Sequence, residues 1–232
     1  MKIVKPALAS AAALALLLTA GPALAEMKGE ANLFLGMKDY SEDDFENIPV
    51  FNEDTLDTSS ATEYGLGFSF GNVDWPVMIA VDVLMASDDD STTYEFLDAS
   101  YTYKAEIDTT ELNLGVRKFW TNHEKFHPYV GGGLAWIDAE AELCLSGEFL
   151  PRKASGETLF EASDSDSGIG YWLNGGVLWR LGKGFQLGFD VRYSDADAEF
   201  ELDEEMPGKQ EDMKEKFDTG GVHYGLLVGY RW

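Results

Sequence analysis

The chain has 232 residues, a formal net charge of −25 at pH 7 and a single cysteine. Such an acidic composition disfavours nucleic-acid binding, because contacts with phosphate need basic side chains. A single cysteine excludes an intramolecular disulfide. We therefore interpret Cys144 as a small apolar side chain that fills space.

The first 25 residues have the pattern of a secretory signal peptide. Lys2 and Lys5 precede an apolar run that ends in Ala23-Leu24-Ala25, so cleavage is predicted before Glu26. No later stretch has the roughly 20 apolar residues that a membrane-spanning helix needs. The sequence predicts a cleaved segment, 1–25, and one mature domain, 26–232.

The mature chain contains eight stretches in which apolar side chains occupy every second position. Such alternation is typical of β-strands whose two faces meet different environments. In the last stretch the apolar face runs from Val222 to Trp232, while the other face is small or charged. The eight predicted strands are centred on 31–37, 63–71, 77–85, 111–117, 127–143, 169–180, 185–194 and 222–232.

The connections between these strands alternate strictly between short and long. The long segments are 39–61, 87–109, 144–166 and 195–218, and together they carry a net charge of −25, which is the whole acidic excess. Outer-membrane barrels have this asymmetry of tight periplasmic turns and long outer loops. We therefore predict an all-β fold: an eight-stranded antiparallel up-and-down transmembrane β-barrel with short periplasmic turns and four long acidic extracellular loops.

Aromatic residues are spaced as two belts would require. Tyr171 and Trp179 are eight residues apart on one strand, as are Tyr224 and Trp232. Eight residues rise ~26 Å along a strand, or ~20 Å in height at a tilt of ~40°, and amphipathic rings favour membrane interfaces. The predicted membrane aromatic belt consists of Tyr64, Trp75, Trp120, Tyr171, Trp179, Phe185, Tyr193, Tyr224 and Trp232.

The opposite faces of the strands carry ionisable side chains. An eight-stranded barrel has a lumen just wide enough for side chains to fill it. Unpaired charges there would be costly, so we expect them to pair with one another. The predicted lumen charges are Glu30, Glu63, Asp82, Glu111, Arg117, Asp190, Arg192 and Arg231.

The stretch FHPYVGGGLAW, Phe126 to Trp136, and the aromatic final strand resemble the small outer-membrane β-barrel family. This family is related to the membrane domain of outer-membrane protein A and to the W- and X-type porin-like proteins. The resemblance implies insertion by the barrel-assembly machinery, with Tyr230 and Trp232 as the assembly signal. The glycine often found five residues before the end is replaced here by Leu227, which departs from the family pattern.

Enzymatic alternatives find little support in the sequence. Some eight-stranded barrels modify lipid A, which would need a histidine and a serine on the outward face near the outer rim. His123 and His127 fall in a predicted periplasmic turn, and His223 faces inward with no serine two residues on. We predict no enzyme, no catalytic residue, no cofactor and no metal site, and we interpret His223 as a lumen side chain beside carboxylates.

The sequence therefore predicts a monomeric protein of the Gram-negative outer membrane with a structural and surface-interaction role. Its expected partners are outer-membrane lipid, lipopolysaccharide and the barrel-assembly machinery, with divalent cations as an option at the acidic runs because clustered carboxylates are oxygen ligands. Alternatives are a small or gated pore, a lipid A-modifying enzyme, and a secreted ligand-binding barrel of lipocalin type.

Overall fold

The computed structural model describes residues 27–40, 60–72, 74–96, 99–149, 157–201 and 214–232. The predicted signal peptide, 1–25, and most of the predicted loop 39–61 lie outside these residues. Within the described residues every regular element is a β-strand. No helix there is long and apolar enough to cross a membrane.

The strands in chain order are β1 Met27–Asp39, β2 Ser60–Asn72, β3 Met78–Phe96, β4 Ala99–Phe119, β5 Phe126–Phe149, β6 Glu157–Gly182, β7 Phe185–Asp195, β8 Asp197–Glu201, β9 Lys214–Asp218 and β10 Gly221–Arg231. Eight of them form a closed barrel in the order β1-β10-β7-β6-β5-β4-β3-β2, and β8 and β9 form a separate two-stranded sheet. All pairings are antiparallel. This confirms the predicted eight-stranded antiparallel barrel.

The two ends of the barrel differ. At one end β2–β3, β4–β5 and β6–β7 are joined by short connections, the last of them Lys183 and Gly184 alone. We call this the short-turn end. At the other end, which we call the long-connection end, the chain connects β1 to β2, β3 to β4 and β5 to β6. It also connects β7 to β10 there, by way of β8 and β9.

Side chains alternate between the outer surface and the interior. On β10, Leu226 is 63% exposed, whereas His223 is fully buried. On β6, Ile169 is 76% exposed while Trp172 is fully buried. The residues that point outward are thus mostly apolar and those that point inward are largely polar, which is the reverse of a soluble barrel.

The strands β3 to β6 are longer than the alternating pattern predicts. β3 and β4 stay paired up to Phe96 and Ala99, so the described part of 87–109 is a strand hairpin and the prediction of a loop there is wrong. β5 and β6 likewise extend to Phe149 and from Glu157. Their outward faces carry Ser, Thr, Asp and Glu here, so the hydrophobic contrast that marks a strand in the sequence is lost although the pairing continues.

The outward faces of these four strands change character at a common level. Met85, Leu112, Trp136 and Ile169 are the last apolar side chains before this change, and strand pairing holds them near one another. The part of the barrel wall between these residues and the long-connection end is called the acidic outer rim. Its outward-facing residues are Ser87, Asp89, Lys104, Glu106, Asp108, Asp138, Glu140, Glu142, Ser165 and Ser167.

Candidate functional site

The centre of the barrel interior contains two acids and two arginines, Asp82, Asp190, Arg117 and Arg192, which we call the central charge cluster. One nitrogen of Arg117 and one of Arg192 each lie 2.7 Å from Oδ2 of Asp82. Arg192 Nε lies 3.8 Å from Asp190 Oδ1. All four are at most 5% exposed. Formal charges therefore balance within one buried group, which limits the cost of desolvation.

Aromatic and amide side chains fix this cluster in place. Tyr129 and Asn174 donate hydrogen bonds to Oδ2 of Asp190. The guanidinium groups of Arg117 and Arg192 lie 5.7 and 5.1 Å from the ring centre of Trp172, within the range of cation–π attraction. The strands that carry these residues are thereby connected across the barrel axis as well as by their backbone ladders.

Little free space is left beside the central charge cluster. A cavity of about 20 Å³ remains between Glu30, Asn32 and the central charge cluster. That volume holds about one water molecule. Side chains therefore fill the middle of the barrel, as the small diameter of an eight-stranded barrel leads one to expect.

A second group, the histidine cluster, lies nearer the long-connection end and consists of Lys38, Glu63, Glu111, Ser194 and His223. Nδ1 of His223 is 2.8 Å from Glu63 Oε1, and its Nε2 is 2.8 Å from Ser194 Oγ and 3.6 Å from Glu111 Oε2. Lys38 Nζ is 3.9 Å from Glu111 Oε2 and donates to the backbone oxygen of Thr219 at 2.9 Å. The interpretation of His223 as a lumen side chain beside carboxylates fits these contacts.

The histidine cluster also places a hydroxyl, an imidazole and a carboxylate in sequence, as in acyl-transfer enzymes. Sequence reasoning missed Ser194, because it comes from the neighbouring strand β7 and not from β10 itself. Ser194 Oγ is also 3.1 Å from Glu111 Oε2, so its single proton can be donated to a carboxylate. Ser194 and His223 are both fully buried, so a substrate could reach the hydroxyl only if the barrel opened.

The predicted lumen charges lie at three levels of the barrel interior. Asp82, Arg117, Asp190 and Arg192 form the central charge cluster, and Glu63 and Glu111 belong to the histidine cluster. Glu30 faces Arg231 across β1 and β10. Glu30 is buried, while Arg231 is half-buried at the short-turn end.

The residues of the predicted aromatic belt all lie on the outer surface, with exposures between 36% and 58%. Trp75, Trp120, Trp179, Phe185 and Trp232 are near the short-turn end, and Phe126 stacks on Trp179 with ring centres 5.2 Å apart. Tyr64, Tyr171, Tyr193 and Tyr224 lie at the opposite margin of the apolar surface.

At that margin two of the tyrosine hydroxyls meet a carboxylate. Tyr171 donates a hydrogen bond to Asp195 at 2.9 Å, and Tyr193 reaches the same carboxylate oxygen at 3.3 Å. Their rings therefore lie against the apolar surface while their hydroxyls are directed to the polar side. This is how amphipathic rings lie at a membrane interface.

The two residues of the predicted assembly signal lie at the end of the closing strand. The Tyr230 ring packs edge-on against Phe185 with centres 5.4 Å apart. Trp232 exchanges backbone hydrogen bonds with Gly29 of β1, at 3.0 and 3.4 Å. Both side chains point outward and are about half exposed.

Comparison with known protein families identifies an outer-membrane β-barrel domain. The family model for the outer membrane protein beta-barrel domain matches residues 10–231. A search of curated proteins gave no match.

Solved structures with a similar fold are outer-membrane proteins of low sequence identity. They include Ail of Yersinia pestis in complex with a heparin analogue (14% identity, 89% of this chain and 99% of that one, TM-score 0.44). Neisserial surface protein A is 15% identical to this chain, and the match covers 89% of this chain and 96% of that protein with a TM-score of 0.40. Outer membrane protein W of E. coli is 16% identical, and the match covers 88% of this chain and 98% of that protein with a TM-score of 0.35. On the family match, this chain belongs to the outer membrane protein β-barrel domain family.

Proposed function

We propose that this barrel is a surface-interaction protein whose long-connection end faces the exterior of a Gram-negative cell. The observation that carries the proposal is the change from an apolar to an acidic outward face along β3 to β6. Lipid requires apolar side chains, whereas the acidic outer rim can only lie in water. The strands continue past the membrane and lift this acidic surface above it.

The filled interior supports an interaction role in preference to an open channel. The charges of the central cluster are paired with one another, and the cavity beside them is about 20 Å³. A hydrated ion would have to break these buried ion pairs in order to pass, which would be costly. The proposed interaction therefore takes place on the outer surface and does not involve passage through the lumen.

The acidic outer rim suits cationic partners. Asp138, Glu140 and Glu142 are consecutive outward-facing residues of β5. Among the described residues, no three or more His, Cys, Asp or Glu side chains are grouped as ligands for a metal ion. Divalent cations would therefore be shared with phosphate groups of lipopolysaccharide and not enclosed by the protein alone.

The remaining parts of the proposal concern biogenesis and assembly state. Export by the predicted signal peptide and insertion by the barrel-assembly machinery, with Tyr230 and Trp232 as its signal, are consistent with the closing position of β10. The barrel is proposed to act as a monomer.

The orientation can be tested with Cys144, the only cysteine. It lies on the outward face of β5, next after Glu142 of the acidic outer rim and opposite Lys104, and is partly exposed, so the interpretation of it as a space-filling side chain is wrong. A membrane-impermeant maleimide should label it on intact cells. As the matched control, a Cys144→Ala, Lys125→Cys variant carries its thiol in an exposed turn of the short-turn end and should be labelled only after permeabilisation. The reverse pattern would contradict the proposed orientation.

The interaction role can be tested with the barrel in nanodiscs of zwitterionic phosphatidylcholine, which has no net charge, using fluorescent polylysine as a cationic probe. Neutralising Asp138, Glu140 and Glu142 to their amides should weaken binding at least about threefold, because the local potential falls. Asp74→Asn with Glu124→Gln at the short-turn end serves as the control and should change binding less. Equal losses in both variants would assign the binding to net charge and not to the acidic outer rim.

A further inference from the structure

The short-turn end of the barrel interior has a charge excess opposite in sign to that of the whole chain. Arg180 and Arg231 lie near the ends of β6 and β10, on the inward-facing sides of these strands, and are half-buried. Lys28 lies at the start of β1 on the same side and is exposed. His127 holds the corresponding place on β5. We call these four residues the basic mouth.

The basic mouth differs from the rest of the interior because its charges are not paired. Among the described residues, neither Arg180 nor Arg231 forms an ion pair, and Lys28 forms none either. The charges of Arg180 and Arg231 repel each other, and both act on His127. Two unpaired guanidinium groups thus lie within electrostatic reach of one another.

His127 provides an independent observation at the same place. It is 2% exposed, and no side chain hydrogen-bonds to either of its ring nitrogens. Its one hydrogen-bonding interaction is with the backbone of Glu124, so the buried ring has capacity left for a further polar group. Its side chain lies on the inner face of β5, the face that borders the mouth.

The acid beside these residues is Glu30, which interacts electrostatically with both Arg180 and Arg231. Glu30 also accepts a hydrogen bond from Asn32 at 3.3 Å. One carboxylate cannot balance Lys28, Arg180 and Arg231 together. The mouth therefore keeps a positive excess, in contrast to the balanced central charge cluster above it.

We propose that the basic mouth binds an oxyanion, a phosphate or carboxylate group, that enters from the short-turn end. The guanidinium groups of Arg180 and Arg231 hold the anion, since their planar donor sets match both kinds of oxyanion. His127 donates the additional hydrogen bond from the wall of the barrel, and Lys28 adds charge at the entrance. The bound group relieves the repulsion between the two arginines.

The test uses the full barrel in dodecyl maltoside micelles, with NMR signals of the arginine Nε–H groups as the readout. Inorganic phosphate is added at constant ionic strength, and acetate is titrated in parallel. We expect saturable shifts of the Arg180 and Arg231 signals. Shifts that rise without saturation at either anion would overturn the proposal, since they would reflect diffuse screening.

Substitutions locate the site. Arg180→Gln should weaken phosphate binding at least about tenfold, because a charged hydrogen-bonding group is lost. Lys125→Gln removes an exposed cation from the same end without altering the interior, and should change the affinity less than about twofold. Equal weakening by both substitutions would contradict a defined site. Arg231→Gln and Arg180→Lys repeat the test, and heat-modifiable gel mobility confirms that each variant is folded.

Short-chain phosphatidic acid in the same micelles separates two sources of the anion. Saturation by inorganic phosphate alone identifies a free oxyanion as the ligand. Saturation only with the lipid identifies a headgroup that reaches the mouth from the inner leaflet. If neither probe gives saturable shifts at Arg180 and Arg231, the basic mouth binds no oxyanion.

Discussion

At the scale of single residues, Asp82 is the centre of the barrel interior. Its Oδ2 atom accepts hydrogen bonds from Arg117 and Arg192, both at 2.7 Å. Arg117 also donates to Ser69 of β2 at 3.0 Å. One carboxylate on β3 therefore organises side chains from β2, β4 and β7, and its loss would leave two buried cations facing each other.

Replacing Asp82 with Asn tests this role while side-chain size is kept. We expect the free energy of unfolding to fall by about 3–5 kcal/mol, because removing one partner of a buried ion pair leaves the other charges uncompensated. Urea-induced unfolding in phospholipid vesicles, followed by tryptophan fluorescence, measures the change. Asp74→Asn, in an exposed turn, should shift the same transition by less than about 0.5 kcal/mol. A shift of similar size for Asp82→Asn would contradict the role of Asp82.

The strands show the division between membrane and water most directly. On β10 the outward side chains remain apolar from Val222 to Trp232. On β3 the same face changes from Met85 to Ser87, Asp89 and Ser91 within a single strand. A strand can cross the boundary without a break because its backbone hydrogen bonds are made with neighbouring strands on both sides of it.

Arginine substitutions on the outward face measure this boundary. Val228→Arg, midway between the belt residues of β10, should destabilise the folded barrel by about 2–4 kcal/mol, because a charge would lie in hydrocarbon. Ser91→Arg, on β3 above the apolar surface, should cost no more than about 1 kcal/mol. Unfolding transitions in vesicles of uniform lipid give both values. Similar costs at the two positions would show that β3 does not leave the membrane at this level.

All eight barrel strands could be predicted from period-two alternation, because one face had to be apolar. The extensions of β3 to β6 could not, since their outward faces are polar and residues such as Asp88, Asp89 and Asp90 indicate a loop when taken alone. Eight inward charges could be predicted from strand parity, but the set missed Lys38, which is fully buried beside Glu111. The partners of these charges could not be predicted. The contact of Ser194 with His223 depends on the register of β7 against β10, and these two strands are separated in the sequence by residues 195–218.

The whole molecule is electrically polar from end to end. The acidic outer rim occupies one end, with Lys104 as its cation, and the basic mouth occupies the other. Between them lies an apolar surface edged by the aromatic belt. The apolar band between the two polar ends gives the molecule a single favourable depth in a bilayer.

Quenching by brominated lipids tests this position. The chain has six tryptophans, and Trp172 alone among them is fully buried, inside the barrel. Trp172→Phe should raise the quenchable fraction of the fluorescence, because it removes a ring that lipid cannot reach. Trp179→Phe should lower that fraction, because Trp179 lies on the outer surface. Changes in the opposite directions would mean that the two faces of the barrel have been assigned the wrong way round.

The pairing of β1 with β10, from Glu30 opposite Arg231 to Asp39 opposite Val222, also constrains how the protein matures. The first strand to emerge must wait for the last one, so every incomplete intermediate has two unsatisfied backbone edges. Hydrocarbon cannot hydrate such edges, and each unmet amide or carbonyl there costs several kcal/mol. Biogenesis therefore has one late, all-or-none step, and loss of the final strand should divert the whole chain to degradation.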